Sequence, residues 1–502
     1  MHNLTINSYQ DLSVYFGDIH NHCNLSYGQG TFPEAIRNAR QQLDFASVTL
    51  HAAWPDMPTD DPALDYLVDY HNHGFRKAAA NWEEYVEQMD VINTPGEFIT
   101  FPSYEWHSNT YGDHCVYYKD SRGAAILDEP TLVALRTALQ RSPSPGMMIP
   151  HHIGYQQGYR GINWTAFTEE LSPVVEIMSF HGCSENCDGS VPYLHSMGPC
   201  DAGSSAHTGW AQEHIFGVVG STDGHIAFPG SHGFGRMAVW APELTRDAIW
   251  HAIQQRRTYA LTGDRIQLAF ALNGYPMGAV TPEADERRIE VFVRGGDAID
   301  TIDLLFNNEV IQRAAPLPQP ADAGRFKLAM QVGWSENPDG TPWEVEIEVL
   351  DGILLDVEPR FVGYRPADKM DNPAYLPPQW HRPAPNQVNF QTYTYPNPTP
   401  TTSVCDGIAI EIEGDGQTRI TARVNGKQVE HRLQEILAGA RTHYMGGFVS
   451  PALSFRRAVP SGDYEHHLSF THRPASTQRD WYTVRVRQRN NQWAWSSPIW
   501  VG

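Results

Sequence analysis

The first half of the chain alternates short apolar runs with patterns typical of amphipathic helices. The apolar runs are predicted as strands at residues 13–19, 45–50, 98–104, 147–150, 174–180 and 214–221. The helical patterns between them lie at residues 33–43, 81–92, 131–140 and 245–257, and Thr245 is the predicted N-cap of the last. This alternation predicts an α/β domain, built on a parallel sheet or barrel, over residues 1–267.

From residue 268 the apolar positions recur every second residue. Runs such as RRIEVFVRGG, WEVEIEVLDG and GIAIEIEG alternate between apolar and polar side chains, as strands with one buried face do. Turn dipeptides such as Asn425-Gly426 and Asn490-Asn491 separate these runs. Residues 268–502 are therefore predicted to form an all-β sandwich domain.

Two segments are predicted as long loops from their composition. Residues 54–80 are rich in Pro, Asp and His and interrupt the strand and helix alternation of the first domain. Loops of this length in compact domains are often functional, so the segment is interpreted as a loop or lid. Residues 365–402 carry many prolines and asparagines and are predicted to be an ordered loop within the sandwich.

Composition and charge exclude several classes of protein. Hydrophobic residues make up 41% of the 502 residues and charged ones 19%, which is ordinary globular usage and argues against disorder. The formal net charge of −22 disfavours binding to nucleic acid or to an anionic membrane surface. No apolar stretch approaches the roughly 20 residues that cross a bilayer, and the N-terminal segment lacks a signal-peptide pattern. A cytoplasmic location is therefore expected, and the six cysteines form no CxxC pair that would predict a disulfide framework.

Side chains that bind metals fall where the predicted strands end. His20 and His22 follow the first strand, and residues two apart in an extended chain point the same way. The rim at which the strands of a βα barrel end is the face open to substrate. The further candidates at strand ends or just after them are His51, Glu105, His114, His151, Asp223 and His225. The set predicts a metal site made from histidine and carboxylate ligands.

These motifs resemble those of the PHP (polymerase and histidinol phosphatase) superfamily of metal-dependent phosphoesterases. The chain carries DIHNH at 18–22, TLH at 49–51 and DGH at 223–225, with Glu105, His114 and His151 between them. The runs SYEWHSNTYGDHCV, PHHIGY and STDGHIAFPG look like a poorly characterised PHP-like group that adds a C-terminal β-sandwich. The resemblance implies a distorted (β/α)7-type, TIM-like barrel followed by the sandwich.

The resemblance also implies a ligand set of two or three divalent ions. One ion would be held by His20, His22, Glu105 and Asp223, a second by Glu105, His114 and His151, and a third by His51 and His225. The family has an acidic residue or histidine where this chain has Ser26-Tyr27-Gly28, and it has TDH where this chain has Thr49-Leu50-His51. Two ions are therefore expected, and a third is left open. Manganese, zinc and iron all suit such ligands.

The expected activity is hydrolysis of a small phosphoester by a metal-bridging hydroxide. His181 is predicted to be the proton donor, and Asp223 is counted among the catalytic residues because it binds the metal. Arg160 and Arg236 are candidates to receive an anionic substrate, with a surface salt bridge as the alternative for each.

Two alternatives to a phosphoesterase remain open from the sequence. The same ions could hydrolyse a carboxylic ester, a lactone or an amide, because a binuclear site polarises carbonyl groups equally well. The chain could instead be a non-catalytic binding protein in which metals are structural and the sandwich recognises a ligand. The natural substrate, the oligomeric state and the role of the sandwich are not determined by the residues.

Overall fold

The structure is a computed structural model that describes residues 6–189, 191–474 and 479–502. The prediction that no leader pattern is present falls partly on residues 1–5, which lie outside the described residues. The strands up to residue 267 are β1 Ser13–Asp18, β2 Phe45–Ala46, β3 Leu50–Ala53, β4 Ile99–Thr100, β5 Ser103–Trp106, β6 His114–Tyr118, β7 Gly146–Pro150, β8 Val174–Ser179, β9 Gly182–Cys183, β10 Gly217–Gly220, β11 Arg236–Ala241 and β12 Thr258–Leu261. All six predicted strands are present, although the second and the third are each split in two.

The remaining strands follow in chain order with short connections. They are β13 Gln267–Leu272, β14 Tyr275–Pro276, β15 Val280–Thr281, β16 Arg287–Arg294, β17 Ile299–Phe306, β18 Glu309–Ala314, β19 Ala323–Gly333, β20 Thr341–Leu350, β21 Ile353–Arg360, β22 Gln379–Ala384, β23 Gln387–Thr394, β24 Asp406–Asp415, β25 Arg419–Val424, β26 Lys427–Arg432, β27 Arg441–Tyr444, β28 Ala452–Phe455, β29 Val459–Pro460, β30 Glu465–His472, β31 Asp480–Gln488, β32 Trp493–Ser496 and β33 Ile499–Val501. Strands make up most of the regular structure, so the chain is mixed α/β and strand-rich.

Four of the seven α-helices in the described residues begin where a Thr or Ser side chain caps the first turn. Thr245 accepts a hydrogen bond from the Ala248 N–H at 3.2 Å, which confirms the predicted N-cap. Thr31 and Glu34 form a capping box. The helices are α1 Phe32–Gln42, α2 Asp65–Ile92, α3 Leu132–Gln140, α4 Ala206–Ala211, α5 Arg246–Gln254, α6 Leu433–Leu437 and α7 Ser461–Tyr464. None of the helices in the described residues is long and apolar enough to cross a membrane.

Most of the predicted loop at residues 54–80 is helical. Residues 65–80 form the first part of α2, whose buried side recurs every three or four residues through His71, Gly74, Ala78 and Trp82. Some of the Asp and His residues that indicated a loop, such as Asp69 and His73, occupy the exposed side of the helix. This part of the helix has mostly polar side chains, so its composition resembled that of a loop.

The strands of the first part form three open sheets instead of one parallel sheet. Strands β1, β2 and β4 are parallel, but β11 and β12 run antiparallel to their neighbours. The second sheet has the order β3-β5-β6-β7, with β6 antiparallel to both neighbours, and the third has the order β10-β8-β9. Since β6, β11 and β12 were not among the predicted strands, the antiparallel pairs were missed. No sheet among the described residues closes on itself, so a TIM-like barrel is not shown.

The largest sheet contains strands from both sides of residue 267. Strand β12 pairs with β32, and β32 pairs with β31, so the eleven-stranded sheet runs from β4 to β33 and β15. Ser497 joins this sheet to the third one, because its hydroxyl donates to the Thr258 carbonyl at 2.6 Å and accepts from the Val218 N–H at 2.9 Å. The domain boundary at residue 267 stays a prediction, and backbone pairing crosses it.

Two sheets pack face to face between residues 323 and 460. One has the order β21-β24-β19-β28-β27 and the other β22-β23-β20-β25-β26. Strand β20 alternates as its sequence predicts, with Trp343, Val345 and Ile347 in the shared core and Glu344 and Glu346 exposed. The predicted loop at 365–402 contains β22 and β23, because Val388 and Phe390 alternate inward while Pro383 lies on the edge strand β22, where no ladder donor is needed.

Loss of the Ser497 hydroxyl is expected to destabilise the fold. Ser497→Ala leaves the Val218 N–H buried without its partner, which costs about 1–3 kcal/mol. The measurement is the free energy of unfolding from urea titration, compared with Ser403→Ala at an exposed position. Equal losses in the two variants would contradict a joining role for Ser497.

Stability is expected to fall as pH rises through the titration of Asp406. Burial raises the pKa of this carboxyl from 3.8 to about 6. The folded state then binds the proton more tightly than the unfolded state, so this contribution is present below pH 4 and is lost as pH rises through about 6. The Asp406→Asn variant should gain about 3 kcal/mol in free energy of unfolding relative to wild type between pH 4 and pH 7. Asp371→Asn, at an exposed position, is the matched control.

Candidate metal centre

Two distant segments are joined at the end of β1 by backbone hydrogen bonds. The His22 N–H donates to the Gly224 carbonyl at 2.8 Å, and the Asp223 N–H donates to the His20 carbonyl at 2.7 Å. The buried carboxylate of Asp18 accepts from the backbone N–H groups of His20 and Thr222. Asp18 therefore joins the backbone of the two segments.

The first group of candidate ligands surrounds the Asp223 carboxylate. Its Oδ1 lies 3.0 Å from His22 Nε2 and 3.4 Å from His20 Nε2. Burial alone would raise the pKa of Asp223, but the neighbouring His20, His181 and His22 hold it well below its usual range. Asp223 has a positive φ of 54°, a conformation held here by the bond to the His20 carbonyl.

Glu105 occupies the middle of the centre. Its Oε1 lies 2.9 Å from His151 Nε2 and 3.1 Å from His107 Nδ1, and its Oε2 lies 2.8 Å from His51 Nδ1. Burial would raise the pKa of Glu105, but His107, His51 and His151 hold it well below its usual range. The carboxylate is therefore ionised and faces imidazole nitrogens from three strand ends.

A third group consists of imidazoles without a carboxylate between them. His51 Nε2 lies 3.1 Å from His225 Nε2, and the rings of His22 and His51 stack with centroids 3.9 Å apart. Burial and the proximity of His22 lower the pKa of His225 to about 3 and that of His51 well below its usual range. Neutral imidazole is the form that binds metals.

The contacts of His20 are those expected of a metal ligand. His20 is fully buried, its Nδ1 lies 3.0 Å from Glu176 Oε2, and its Nε2 has no hydrogen-bond partner. An imidazole with one nitrogen fixed by a carboxylate and the other free is the usual arrangement of a metal-binding histidine. Glu176 therefore orients a candidate ligand. The same donor set suits zinc, manganese and iron.

Two predicted site residues point elsewhere. His114 Nδ1 lies 2.9 Å from the Gly112 carbonyl, and its side chain forms no ion pair with a carboxylate of the described residues. Side chains alternate along β6, so the neighbouring Cys115 faces the centre, with Sγ 3.5 Å from His151 Nδ1. Arg236 is fully buried and donates to the Gly230 carbonyl and to Gln42 Oε1, so it braces a loop and does not face the centre.

The other two predicted residues do lie at the centre. His181 Nε2 is 2.9 Å from Asp223 Oδ2, and its Nδ1 is 2.5 Å from the Tyr155 hydroxyl. The Arg160 guanidinium pairs with Asp113, where Nε donates to Oδ2 at 2.8 Å, and Nη2 lies 3.8 Å from Glu105 Oε1.

Sequence reasoning missed several residues of the centre. Asp113 accepts from Arg160 and from the Ser108 N–H and lies 3.0 Å from His107 Nδ1. His107 follows Glu105 by two residues, and this spacing was the signal that both side chains face the same side. Tyr27 stacks on His51 with its hydroxyl 2.6 Å from Nδ1, and a Cβ at Gly74 of α2 would lie 2.3 Å from that tyrosine ring.

A disulfide-closed loop lies beside His181. Cys187 and Cys200 are bonded, with Cα atoms 5.4 Å apart, although the sequence did not predict a disulfide. Between them His195 places its ring centroid 4.2 Å from that of His181, and the Tyr193 hydroxyl accepts from the Gly154 N–H. The spacing of Cys187 and Cys200 did not predict this bond, because it is the folding of the loop between them that brings the two residues together.

Comparison with known proteins gives partial matches. Residues 231–287 match a family described as a protein of unknown function (DUF3604). The chain is 28% identical over 175 residues to an uncharacterized protein of Chlamydia trachomatis serovar D, covering 31% of this chain and 28% of that one. It is 22% identical over 278 residues to an uncharacterized protein of Chlamydia pneumoniae, covering 51% of this chain and 44% of the other. The chain thus matches less than half the length of these curated relatives.

A comparison with solved structures also gives a match. It is a two-domain protein containing a predicted PHP-like metal-dependent phosphoesterase from Bacteroides vulgatus. The two chains share 13% identity and a TM-score of 0.33, and the match covers 84% of this chain and 96% of the other. The function proposed below rests on the side chains of this chain.

Metal content is expected to depend on the residues that converge and not on His114. Elemental analysis of the purified protein should find at least two transition-metal ions per molecule, as the sequence predicts, and His20→Ala or Asp223→Ala should lower that number. His114→Asn, which keeps a donor toward the Gly112 carbonyl, is the matched control and should retain the metal. Full metal content in both alanine variants would contradict the centre.

Proposed function

We propose that the chain is a divalent-metal-dependent hydrolase and that its substrates are small phosphoesters. The observation that carries this proposal is a buried set of imidazoles around two carboxylates, within which His20 Nε2 has no hydrogen-bond partner. Neutral imidazole nitrogens as close as those of His51 and His225 need a proton or a cation between them. Bound cations would supply a partner for His20 Nε2 and would lie between the nitrogens of His51 and His225.

Three of the candidate ligand groups carry the proposal. The Asp223 group consists of His20, His22 and Asp223, the imidazole group of His22, His51 and His225, and the Glu105 group of Glu105, Asp113, His151 and His152. We propose that the Glu105 group, with His107, takes the place expected for His114. When bound there, divalent ions would polarise an ester and lower the pKa of water.

We also propose that β1–β12 are arranged as a distorted (β/α)7-type barrel of the PHP kind. Strand β7 lies against β8, and β10 lies against β11 and β12, across gaps in the sheet hydrogen bonding. Side chains bridge one of these gaps, since Thr258 Oγ1 donates to the Val218 carbonyl at 3.0 Å. This arrangement would direct the strand ends carrying the ligands toward one centre.

His181 is proposed as the proton donor to the leaving oxygen. Burial lowers the pKa of His181, and the Asp223 carboxylate, 2.9 Å from Nε2, opposes that shift, while the Tyr155 hydroxyl orients the ring through Nδ1. Nε2 would give its proton to the leaving oxygen once a divalent ion at Asp223 frees it from that carboxylate. Arg160 is proposed to position Asp113 and His107, because its guanidinium is already paired with that carboxylate.

A second candidate is hydrolysis of a carboxylic ester, lactone or amide. The observation that favours it is the state of the two arginines that were expected to receive an anion. Arg236 is bound to the Gly230 carbonyl, and Arg160 is paired with Asp113. A substrate with little charge needs no guanidinium partner, which also favours a phosphodiester over a phosphomonoester.

Hydrolysis is expected to require metal and His181. The metal-loaded protein should hydrolyse at least one of a nitrophenyl phosphodiester, a phosphomonoester and a carboxylic ester, and chelation should abolish this activity. His181→Gln should lower kcat by about a hundredfold or more for an ester whose alcohol is a poor leaving group. The loss should be smaller for the nitrophenyl ester, which needs little protonation.

The control for these assays is metal content measured on the same samples. A His181→Gln protein that keeps its metal but loses kcat equally for both leaving groups would contradict the role of proton donor. A fully loaded wild-type protein that hydrolyses none of the three esters would instead support a non-catalytic binding protein.

A further inference from the structure

An apolar cavity of about 490 Å³ adjoins the metal centre. Phe180, His225 and Phe234 line one side of it, and Val362, Tyr364 and Val404 line the other. The first group belongs to segments that flank the centre, and the second comes from the sandwich. The cavity volume lies within the range of about 300–1,000 Å³ that small-molecule sites have.

The cavity is continuous with the reacting groups. His225 lines it and at the same time places Nε2 3.1 Å from His51 Nε2 in the centre. Phe180 also lines it, and its ring centroid lies 4.2 Å from that of His181, the proposed proton donor. A group seated in the cavity is therefore beside the leaving-group side of a bound ester.

The walls of the cavity favour an uncharged occupant. The described residues that line it include no Lys, Arg, Asp or Glu, and aromatic and aliphatic side chains form most of its surface. A charged group placed there would lose its hydration without gaining an ionic partner. An apolar group would gain roughly 25 cal/mol for each Å² of its surface removed from water.

The sandwich wall is held in place by polar contacts behind it. The Asp406 carboxylate accepts from the Val362 N–H at 2.6 Å and the Gly363 N–H at 3.1 Å. Ser231 Oγ donates to the Val362 carbonyl at 2.7 Å, which ties the wall to the segment after β10. These bonds leave the side chains of the wall facing the cavity in a preformed arrangement.

We propose that this cavity binds an apolar aryl or alkyl group on the leaving alcohol of the substrate. The inference rests on the proposed hydrolase function and narrows its substrate class to esters of apolar alcohols or phenols. It also gives the sandwich a role, since Val362, Tyr364 and Val404 supply one wall of the specificity site.

The kinetic test compares esters that differ in the leaving alcohol. For the class hydrolysed in the panel above, kcat/KM for the phenyl ester should exceed that for the 4-carboxyphenyl ester by about tenfold or more. Chemical reactivity alone favours the carboxyphenyl ester, whose phenol is the better leaving group. Equal values, or a preference for the charged ester, would overturn the inference while leaving the hydrolase function in place.

A variant that fills the cavity provides the structural test. Thr402→Trp places an indole at the cavity, and it should lower the ratio of kcat/KM for the phenyl ester to that for the methyl ester by about tenfold. Thr401→Trp, at the exposed neighbouring position, is the matched control and should keep the wild-type ratio. If Thr402→Trp fails to fold, Phe234→Ala replaces it in the test, because this variant removes part of the cavity wall and should lower the same ratio.

A binding measurement separates failure of the inference from failure of the proposed function. Phenylphosphonate should bind the metal-loaded protein more tightly than methylphosphonate by calorimetry, and Thr402→Trp or Phe234→Ala should remove this difference. If no ester is hydrolysed but the difference is present, the hydrolase function fails and the apolar site stands. If the two phosphonates bind equally, the apolar site is refuted whether or not esters are hydrolysed.

Discussion

The metal centre depends on one buried carboxylate that is not itself a candidate ligand. Asp18 has no exposed surface, and its two oxygens accept hydrogen bonds from the segment after β1 and from the segment after β10, including the Gly230 N–H at 2.7 Å. Each bond fixes backbone that carries ligands, namely His20 and His22 on one side and Asp223 on the other. Removing Asp18 would leave several buried N–H groups without acceptors, at a cost larger than that of a single lost bond.

The centre and the adjoining cavity have opposite solvation. Around Glu105 the buried polar atoms are close enough that their charges and protons must be balanced by neighbours or by cations. On the far side of His225 the walls are apolar and hold no ionic group among the residues described. An ester that spans both regions would place its reacting atoms among charges and its alcohol among hydrocarbon side chains, where water competes poorly for either.

Much of this centre could be predicted because local spacing determines it. His20 and His22 are two residues apart in an extended strand, and the motif around Asp223 follows an apolar run, so both needed only short-range patterns. The alternation along β6 could not be used in this way because no strand was predicted there, so the sequence did not indicate that Asp113 and Cys115 lie toward the centre while His114 contacts the Gly112 carbonyl. The first part of helix α2, residues 65–80, was missed because its buried side is narrow and its composition polar. The pairing of β12 with β32 and the cavity wall from the sandwich join residues far apart in sequence, which no local pattern encodes.

The position of β32 has a consequence for how the chain is made. Ser497 bonds to Thr258 across 239 residues, and until the later segment has left the ribosome the edge of β12 has no partner strand. A nascent chain in this state would expose unpaired N–H and C=O groups along β12, as an unprotected sheet edge does. Sheets closed by such distant segments form slowly and are open to intermolecular pairing in the meantime. The edge of β12 would therefore stay open until β32 has been made, and chaperones that shield it would raise the yield of folded protein.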